Sequence, residues 1–356
     1  MSTFGKRAQG ERLERVQGSP RFIDGAFRNT HPVTQGLKKG SSPVLWDFFF
    51  GGSRRTPTGA IPSLDPRPRW ATAPETGLRT TWLGHSTVLV EIDGARVLTD
   101  PVWGPRASPV GFAGPKRFAP APVSVEQLPA LDVVIISHDH YDHLDLPTIK
   151  QLIARDVPFV TSLGVGAHLE AWGVRPERIT ELDWWQSTTV GGLTLTAGPA
   201  QHFSGRGIGG GNLTLWSSFT IEGARHRVFF SGDTGLTPEY EEIRARFGTF
   251  DLVMLEVGAF HPAWGDIHLG PENALTAHAM LGSGTLLPVH WGTFNLALHA
   301  WDEPAETILS LAEKRGTPLV MPRLGEAIEP ARRGPVDPWW RAVDAPAVLE
   351  AVGVAR

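Results

Sequence analysis

The chain contains no cysteine. Disulfides, thiolate zinc sites and a cysteine nucleophile are therefore excluded, and any bound metal must be held by nitrogen and oxygen donors. It also lacks an apolar run approaching the ~20 residues that span a bilayer. Its first thirty residues are charged and polar, without the apolar core of a signal peptide, so a cytoplasmic protein is expected. An excess of positive charge is missing too. The 33 Lys and Arg stand against 37 Asp and Glu for a net charge of -4, so no general attraction to nucleic acid is expected. No short-period repeat or low-complexity tract is present.

What is present is the composition of a globular protein, 41% hydrophobic and 20% charged, in 356 residues that suffice for one or two cores. Residues 1–75 differ from the rest. "GKRAQGERLER" reads as a solvated charge run, and Pro and Gly then recur through "RNTHPVTQGLKKGSSP" and "GAIPSLDPRPRW". This predicts an arm or wrapping extension on a main domain spanning 76–356. Within the arm, "VLWDFFFGG" groups Trp46, Phe48, Phe49 and Phe50, aromatics suited either to a membrane interface or to packing on the main domain.

From Leu78 the pattern becomes regular. "TVLVEIDGARVLTD" alternates Val88, Val90 and Ile92, then turns at Asp93-Gly94 into a second strand, a hairpin signal. Further strand-like runs are "VVIIS", "PFVTS", "LTLTAG", "TLWSSFTI", "RVFFSG", "LVMLEV" and "TLLPV". Helical periodicity appears near 146–154, 164–172, 238–247, 271–281 and 304–315. Strands dominate and helices fall between the later ones, which predicts an α/β architecture of two sheets packed face to face with helices outside.

Directly behind the apolar "LDVVII" stands "SHDHYDH", residues 137–143. In an extended segment His138 and His140 leave on the same side and converge on one ion, while Asp142 and His143 are placed to face a second. A tetrahedral site needs more ligands than one short motif supplies. A rigid sheet edge provides them from other strand ends: His202 after "LTLTAGPAQ", Asp233 after "RVFFSG" and His290 after "TLLPV". Two ions sharing Asp233 and a water would activate that water. A lone histidine after a strand is usually a hydrogen-bonded structural residue; the seven-residue cluster is what separates this chain from that case.

These residues resemble the metallo-β-lactamase superfamily, whose H-x-H-x-D-H signature stands here as His138, His140, Asp142 and His143, followed in the same order by His202, Asp233 and His290. Within it, the chain is similar to the N-acyl-phosphatidylethanolamine-hydrolysing phospholipase D group and its bacterial relatives. The stretches "LGHSTVLVEIDG", "TDPVW", "RASP", "GPKRF", "SHDHYDHLD", "ELDWW", "GDTG", "EEIRARFGTFDL", "HLGPENA" and "HWGTFNLA" carry the likeness over roughly residues 80–300.

The resemblance implies an αββα sandwich with two divalent ions, usually Zn2+, at one edge of the sheets. It places His138, His140 and His202 on one ion, Asp142, His143 and His290 on the other, and Asp233 between them. Asp100 in "LTDP" matches an aspartate that holds the ligand loop from behind by hydrogen bonds. Asp142 and His268 are the catalytic candidates, His268 matching a histidine that assists at the phosphate or leaving group. The residue before it is a glutamine in the vertebrate lipase and Ile267 here.

The expected activity is phosphodiester hydrolysis of the phospholipase D type on N-acyl-phosphatidylethanolamine-like lipids, through a metal-bridging hydroxide. Lys116 and Arg117 in "GPKRF" are candidate anion contacts, and His299, close behind "HWGTF", is a candidate to line the pocket. His85 in "GHST" is placed to reach the site from the hairpin or, the preferred reading, to serve as a structural hydrogen-bonding residue, and His261 and His278 are unassigned. Competing readings are a lactonase or other ester hydrolase on a small, phosphorylated or plain, substrate and, from another class, a di-iron redox or metal-binding module. The redox branch carries a carboxylate where this chain has His140. Ribonuclease activity fits the acidic balance poorly. The partner is a small-molecule or phospholipid substrate, with peripheral membrane contact and a homodimer left open. Of the 13 tryptophans, Trp103, Trp184, Trp185, Trp216, Trp264, Trp291 and Trp301 lie in or beside the motifs, where they wall a groove or fill the core.

Overall fold

The computed structural model describes residues 2–34, 54–207, 211–282 and 284–344. Trp46, Phe48, Phe49 and Phe50, read above as an aromatic cluster, lie outside the described residues. The start of the arm forms helix α1 (Gly10–Gln17) and a small hairpin, β1 (Phe22–Ile23) and β2 (Ala26–Phe27). The run "GKRAQGERLER" is thus not simply solvated. Val16 is buried, and Arg12 forms ion pairs with Glu170 and with the buried Glu181, which gives this polar helix its seat. A single turn, α2 (Arg67–Trp70), leads into the first sheet.

That sheet begins as a meander of β3 (Leu78–Gly84), β4 (Thr87–Ile92) and β5 (Ala95–Thr99). Asp93 and Gly94 both take positive φ, 49° and 93°, as the tight turn with matching right-handed twist requires. Parallel strands β6 (Val133–Ile136), β7 (Phe159–Ser162) and β8 (Ile179–Leu182) follow, with α3 (Leu146–Ile153) and α4 (Gly166–Ala171) as crossovers. Asp145 caps α3 by accepting from the Thr148 amide.

The second sheet contains β9 (Ser187–Val190), β10 (Leu193–Gly198), β11 (Ser218–Glu222), β12 (Arg227–Phe230), β13 (Leu252–Glu256) and β14 (Thr285–Val289). Its order is β14-β13-β12-β11-β10-β9, antiparallel from β9 to β12 and parallel from there. Helices α5 (Glu239–Phe247), α6 (Gly270–Met280) and α7 (Glu303–Arg315) accompany it. A last short strand, β15 (Ala327–Ile328), returns to the first sheet, whose order is β15-β3-β4-β5-β6-β7-β8.

Strand β4 shows why both faces are apolar. Val88, Val90 and Ile92 join the core shared with Leu195, Phe219 and Ile221 of the second sheet, while Leu89 joins a separate cluster with Ile149 and Leu152 of α3. The fold is the expected α/β sandwich of two mixed sheets. The strand expected from "TLWSSFTI" starts only at Ser218, because the Trp216 side chain is buried and the Ser217 amide bonds to Ser137 O across the sheets. β8, β9 and β15 carried no apolar run to mark them. No described helix is long and apolar enough to cross a membrane.

Because β10, β12, β13 and β14 all point the same way, their C-terminal ends open on one edge. The C-terminal ends of β5 and β6 meet them there.

Candidate functional site

Past Ile136 the chain leaves β6, and residues 138–143 form the loop at this edge. Asp100, just past β5, holds the loop from behind. It accepts from the Ser137 amide at 2.7 Å, Ser137 Oγ at 2.6 Å and His143 Nδ1 at 2.7 Å. Ser137 Oγ, having given its hydrogen to Asp100, accepts from His138 Nδ1 at 2.9 Å. His202, four residues past the end of β10, donates Nδ1–H to the Ile267 carbonyl at 2.9 Å. The outer partner in each case engages Nδ1, so His138, His143 and His202 all turn Nε2 inward.

The inward atoms meet in two groups. His138 Nε2 lies 2.9 Å and His202 Nε2 3.2 Å from His140 Nδ1, with Asp233 Oδ2 3.8 Å from His138 Nε2. Beside them, Asp142 Oδ2 lies 3.5 Å from His143 Nε2, 3.3 Å from His290 Nε2 and 3.0 Å from His85 Nε2. Asp233 stands between the groups, 3.1 Å from His143 Nε2 and 3.1 Å from His290 Nε2. Gly232 makes this approach possible. A Cβ there would come within 2.7 Å of Ser137 Cβ, and φ is +56°.

The donor chemistry fits divalent ions. Within each of the sets His138/His140/His202/Asp233 and His85/Asp142/His143/His290, one donor atom per residue lies within 4.8 Å of all the others. His143 Nε2, His290 Nε2 and Asp233 Oδ1 are buried without a properly formed hydrogen bond although opposite charge is close. Donor atoms aimed at a common point rather than at each other are what a cation satisfies.

The two groups differ electrically. Burial, reinforced by neighbouring imidazoles, holds His138 well below the usual histidine range; burial likewise lowers His140 and His202, against the pull of nearby carboxylates. All three are neutral, the form in which imidazole ligates. Burial also opposes charge on His143 and His290, but Asp233 and Asp142 outweigh it, driving His143 well up and His290 up to about 10. Asp142 and Asp233 are correspondingly held well below the usual carboxylate range despite burial.

Solvent reaches the cluster on one side. His138, His143, His202, His290 and Asp233 are buried, whereas His140, Asp142 and His268 are half-buried. His268 Nδ1 bonds to Glu256 Oε2 at 2.8 Å, and the other Glu256 oxygen accepts from the Thr234 and Leu269 amides. His268 also borders a cleft lined by Phe260, Pro262, Trp264 and Pro271.

The other expected contacts fall elsewhere. Arg117 was read as an anion contact; instead it donates to the carbonyls of Val102, Gly104 and Ala119 and covers the Phe294 ring, because its loop would otherwise leave those carbonyls unpaired. Lys116 is exposed, with its backbone bridged to Arg106. His299 lines a small cavity with His290. Both its nitrogens are engaged, Nε2 with the Ala259 amide and Nδ1 with the Ala300 carbonyl. Trp184, Trp216, Trp291 and Trp301 are buried, and Trp264 reaches the cleft.

Two residues were missed or underweighted. Glu256 ends "LVMLE" and obeys the same strand-end rule that singled out Asp233. His85, read as structural, touches Asp142 directly from the turn between β3 and β4. Its φ of 54° and burial, which pushes it down to about 3, mark it as a neutral donor held by the fold.

The Beta-lactamase superfamily domain profile matches residues 95–291. An uncharacterized protein of Mycobacterium tuberculosis is 46% identical over 329 residues, covering 91% of this chain and 88% of that one. The N-acyl-phosphatidylethanolamine-hydrolyzing phospholipase D 1 of Caenorhabditis elegans is 36% identical over 276 residues, covering 73% of this chain and 78% of that one. Among solved structures, isothiocyanate hydrolase from Delia radicum gut bacteria is similar with a TM-score of 0.58 over 70% of this chain and 98% of that one. At 23% identity, that likeness speaks for the fold alone.

Proposed function

Since the chain belongs to the metallo-β-lactamase superfamily of metal-dependent hydrolases, we propose that it is a two-metal phosphodiesterase of the phospholipase D type, acting on N-acyl-phosphatidylethanolamine-like lipids. The position of Asp233 between two donor groups, each able to hold an ion, carries this reading. The kinship to the worm phospholipase D supports the lipid class.

His138, His140 and His202 would hold one ion, Asp142, His143 and His290 the other, with Asp233 serving both. Bound there, two divalent ions, Zn2+ by the preference of nitrogen-rich sites, lower the pKa of water from 15.7 toward ~7 and neutralise charge on a phosphate. The chain's own contribution is to place and shield. Asp100, Ser137 and Ile267 O keep the imidazoles in their ligating tautomers. Glu256 engages His268 Nδ1, leaving Nε2 as the nitrogen that would give a proton to the leaving alkoxide, the P–O bond breaking as that O–H bond forms. Substrate enters where His140, Asp142 and His268 are open, and the cleft past Trp264 receives the apolar part. Such a substrate brings the protein to a membrane surface from the cytoplasmic side.

The test is mass spectrometry of products from detergent-dispersed N-acyl-phosphatidylethanolamine after incubation with zinc-loaded protein, with a chelated control. Metal-dependent phosphatidic acid and N-acylethanolamine are expected. Hydrolysis of a lactone or simple phosphodiester, with the lipid untouched, would overturn the substrate class and leave a hydrolase of small esters.

A further inference from the structure

His202 lies past the end of the sheet ladder, whose last pair is Gly198 with Ser218. Among the described residues its peptide group has no strand partner, and both its hydrogen bonds are made with one side chain of the arm. Asn29 Oδ1 accepts from the His202 amide at 3.0 Å, and Asn29 Nδ2 donates to the His202 carbonyl at 2.8 Å. The carboxamide thus stands in for a strand neighbour. Its oxygen is itself fixed, accepting from the buried Trp216 indole at 3.0 Å. The hairpin bearing Asn29 is seated by Phe27, fully buried in a cluster with Val16, Trp184 and Trp216, and by the Phe27 amide bonding to Asn212 O at 2.7 Å.

A second tie runs between the arm and the ligand loop. The buried Arg206 donates to Thr3 O at 3.0 Å on one side and to Asp139 O and Leu144 O, at 2.6 and 2.7 Å, on the other. Asp139 lies between His138 and His140.

We propose that Asn29 is a positioning residue for His202, so that the arm, outside the matched span of 95–291, is a working part of the three-histidine half of the metal centre. The inference rests on the two-metal reading above. Ring and peptide of His202 are held independently, by Ile267 O and by Asn29, and loss of the second hold frees the loop that brings Nε2 to the ion. The half formed by Asp142, His143 and His290 has no such dependence on Asn29.

The experiment titrates full-length protein, wild type, Asn29→Ala and Asn29→Asp, with Co2+ against a competing chelator, reading visible bands and metal per chain. Wild type is measured first, because failure to hold two ions there would sink the two-metal reading and not the role of Asn29. In both variants the affinity for one ion should fall about 10–100-fold, as for an outer partner of a ligand, with altered Co2+ bands and the other ion retained at its wild-type midpoint. Asn29→Asp keeps the size and loses the donor to His202 O, so it covers the case in which Asn29→Ala fails to fold. Wild-type binding of both ions in the folded variants would overturn the proposal. Equal loss of both ions together with a lowered melting temperature would also overturn it, by showing general support of the fold.

Discussion

The two sheets contribute to the polar edge in opposite ways. The first delivers His138, His140, Asp142 and His143 from a single loop, braced by Asp100 from the neighbouring strand. The second delivers His202, Asp233, Glu256 and His290 one at a time, from the ends of β10, β12, β13 and β14. The loop of the first sheet is locally dense and needs outside bracing, supplied through Asp100 and Ser137. Of the second sheet's residues, Glu256 and His290 sit at or one residue past the end of the parallel ladder, whereas Asp233 follows the last β12 pair by three residues and His202, past β10, relies on Asn29. Rigidity at the centre therefore comes from backbone pairing on one side and side-chain acceptors on the other.

The sharpest way to break this contrast is Asp233→Ala, which removes the one carboxylate of the second sheet that reaches both groups. Metal content should fall in both halves, and turnover should drop by more than the roughly 10–100-fold typical of an outer partner. Normal turnover by that variant, measured with metal analysis of the same sample, would end the bridging assignment. His268→Ala takes away a residue of the second sheet's side that holds no ion in this scheme. Single-turnover rates should fall about 10²–10⁴-fold while metal content stays at the wild-type level; an unchanged rate returns His268 to a structural role.

On the first sheet's side, Asp100→Ala strips the acceptor from His143 and Ser137 and leaves buried donors unpaired. Metal affinity should weaken about 10–100-fold, and chemical denaturation of metal-free protein should show a loss of ~1–3 kcal/mol per orphaned group. If chelator competition finds wild-type affinity, the bracing role fails.

The smallest effect concerns protons. In metal-free protein His290 is raised to about 10 by Asp233 and Asp142, and His143 is raised with it. A raised histidine binds a proton more tightly folded than unfolded, so its stabilisation is complete below the ordinary value near 6.5 and is lost as pH climbs toward 10. The melting temperature of chelator-stripped protein should fall across that window. Metal-loaded protein, whose histidines are already deprotonated, should show a flatter profile; parallel curves for the two forms would refute the charge arrangement of this half.

The sequence by itself determined most of the strands and the first four donors, because alternating apolar residues and a dense "SHDHYDH" are local patterns that β8, β9 and β15 lack. Strand ends also pointed to His202, Asp233 and His290, since an apolar strand followed by a ligand-type side chain is visible one segment at a time. What lay between segments was decided by tertiary structure alone. Arg117 reads as a free cation until the fold surrounds it with carbonyls and the ring of Phe294. His85 reads as a structural residue or one able to reach the site from its hairpin, and only the fold decides between them by setting it 3.0 Å from Asp142. Glu256 becomes the partner of His268 only when β13 lies beside β12 and β14. Asn29 has no signal at all, because its role is to complete the hydrogen bonds of a peptide group 173 residues away, and such a partnership exists only after the arm has folded against the sheet edge.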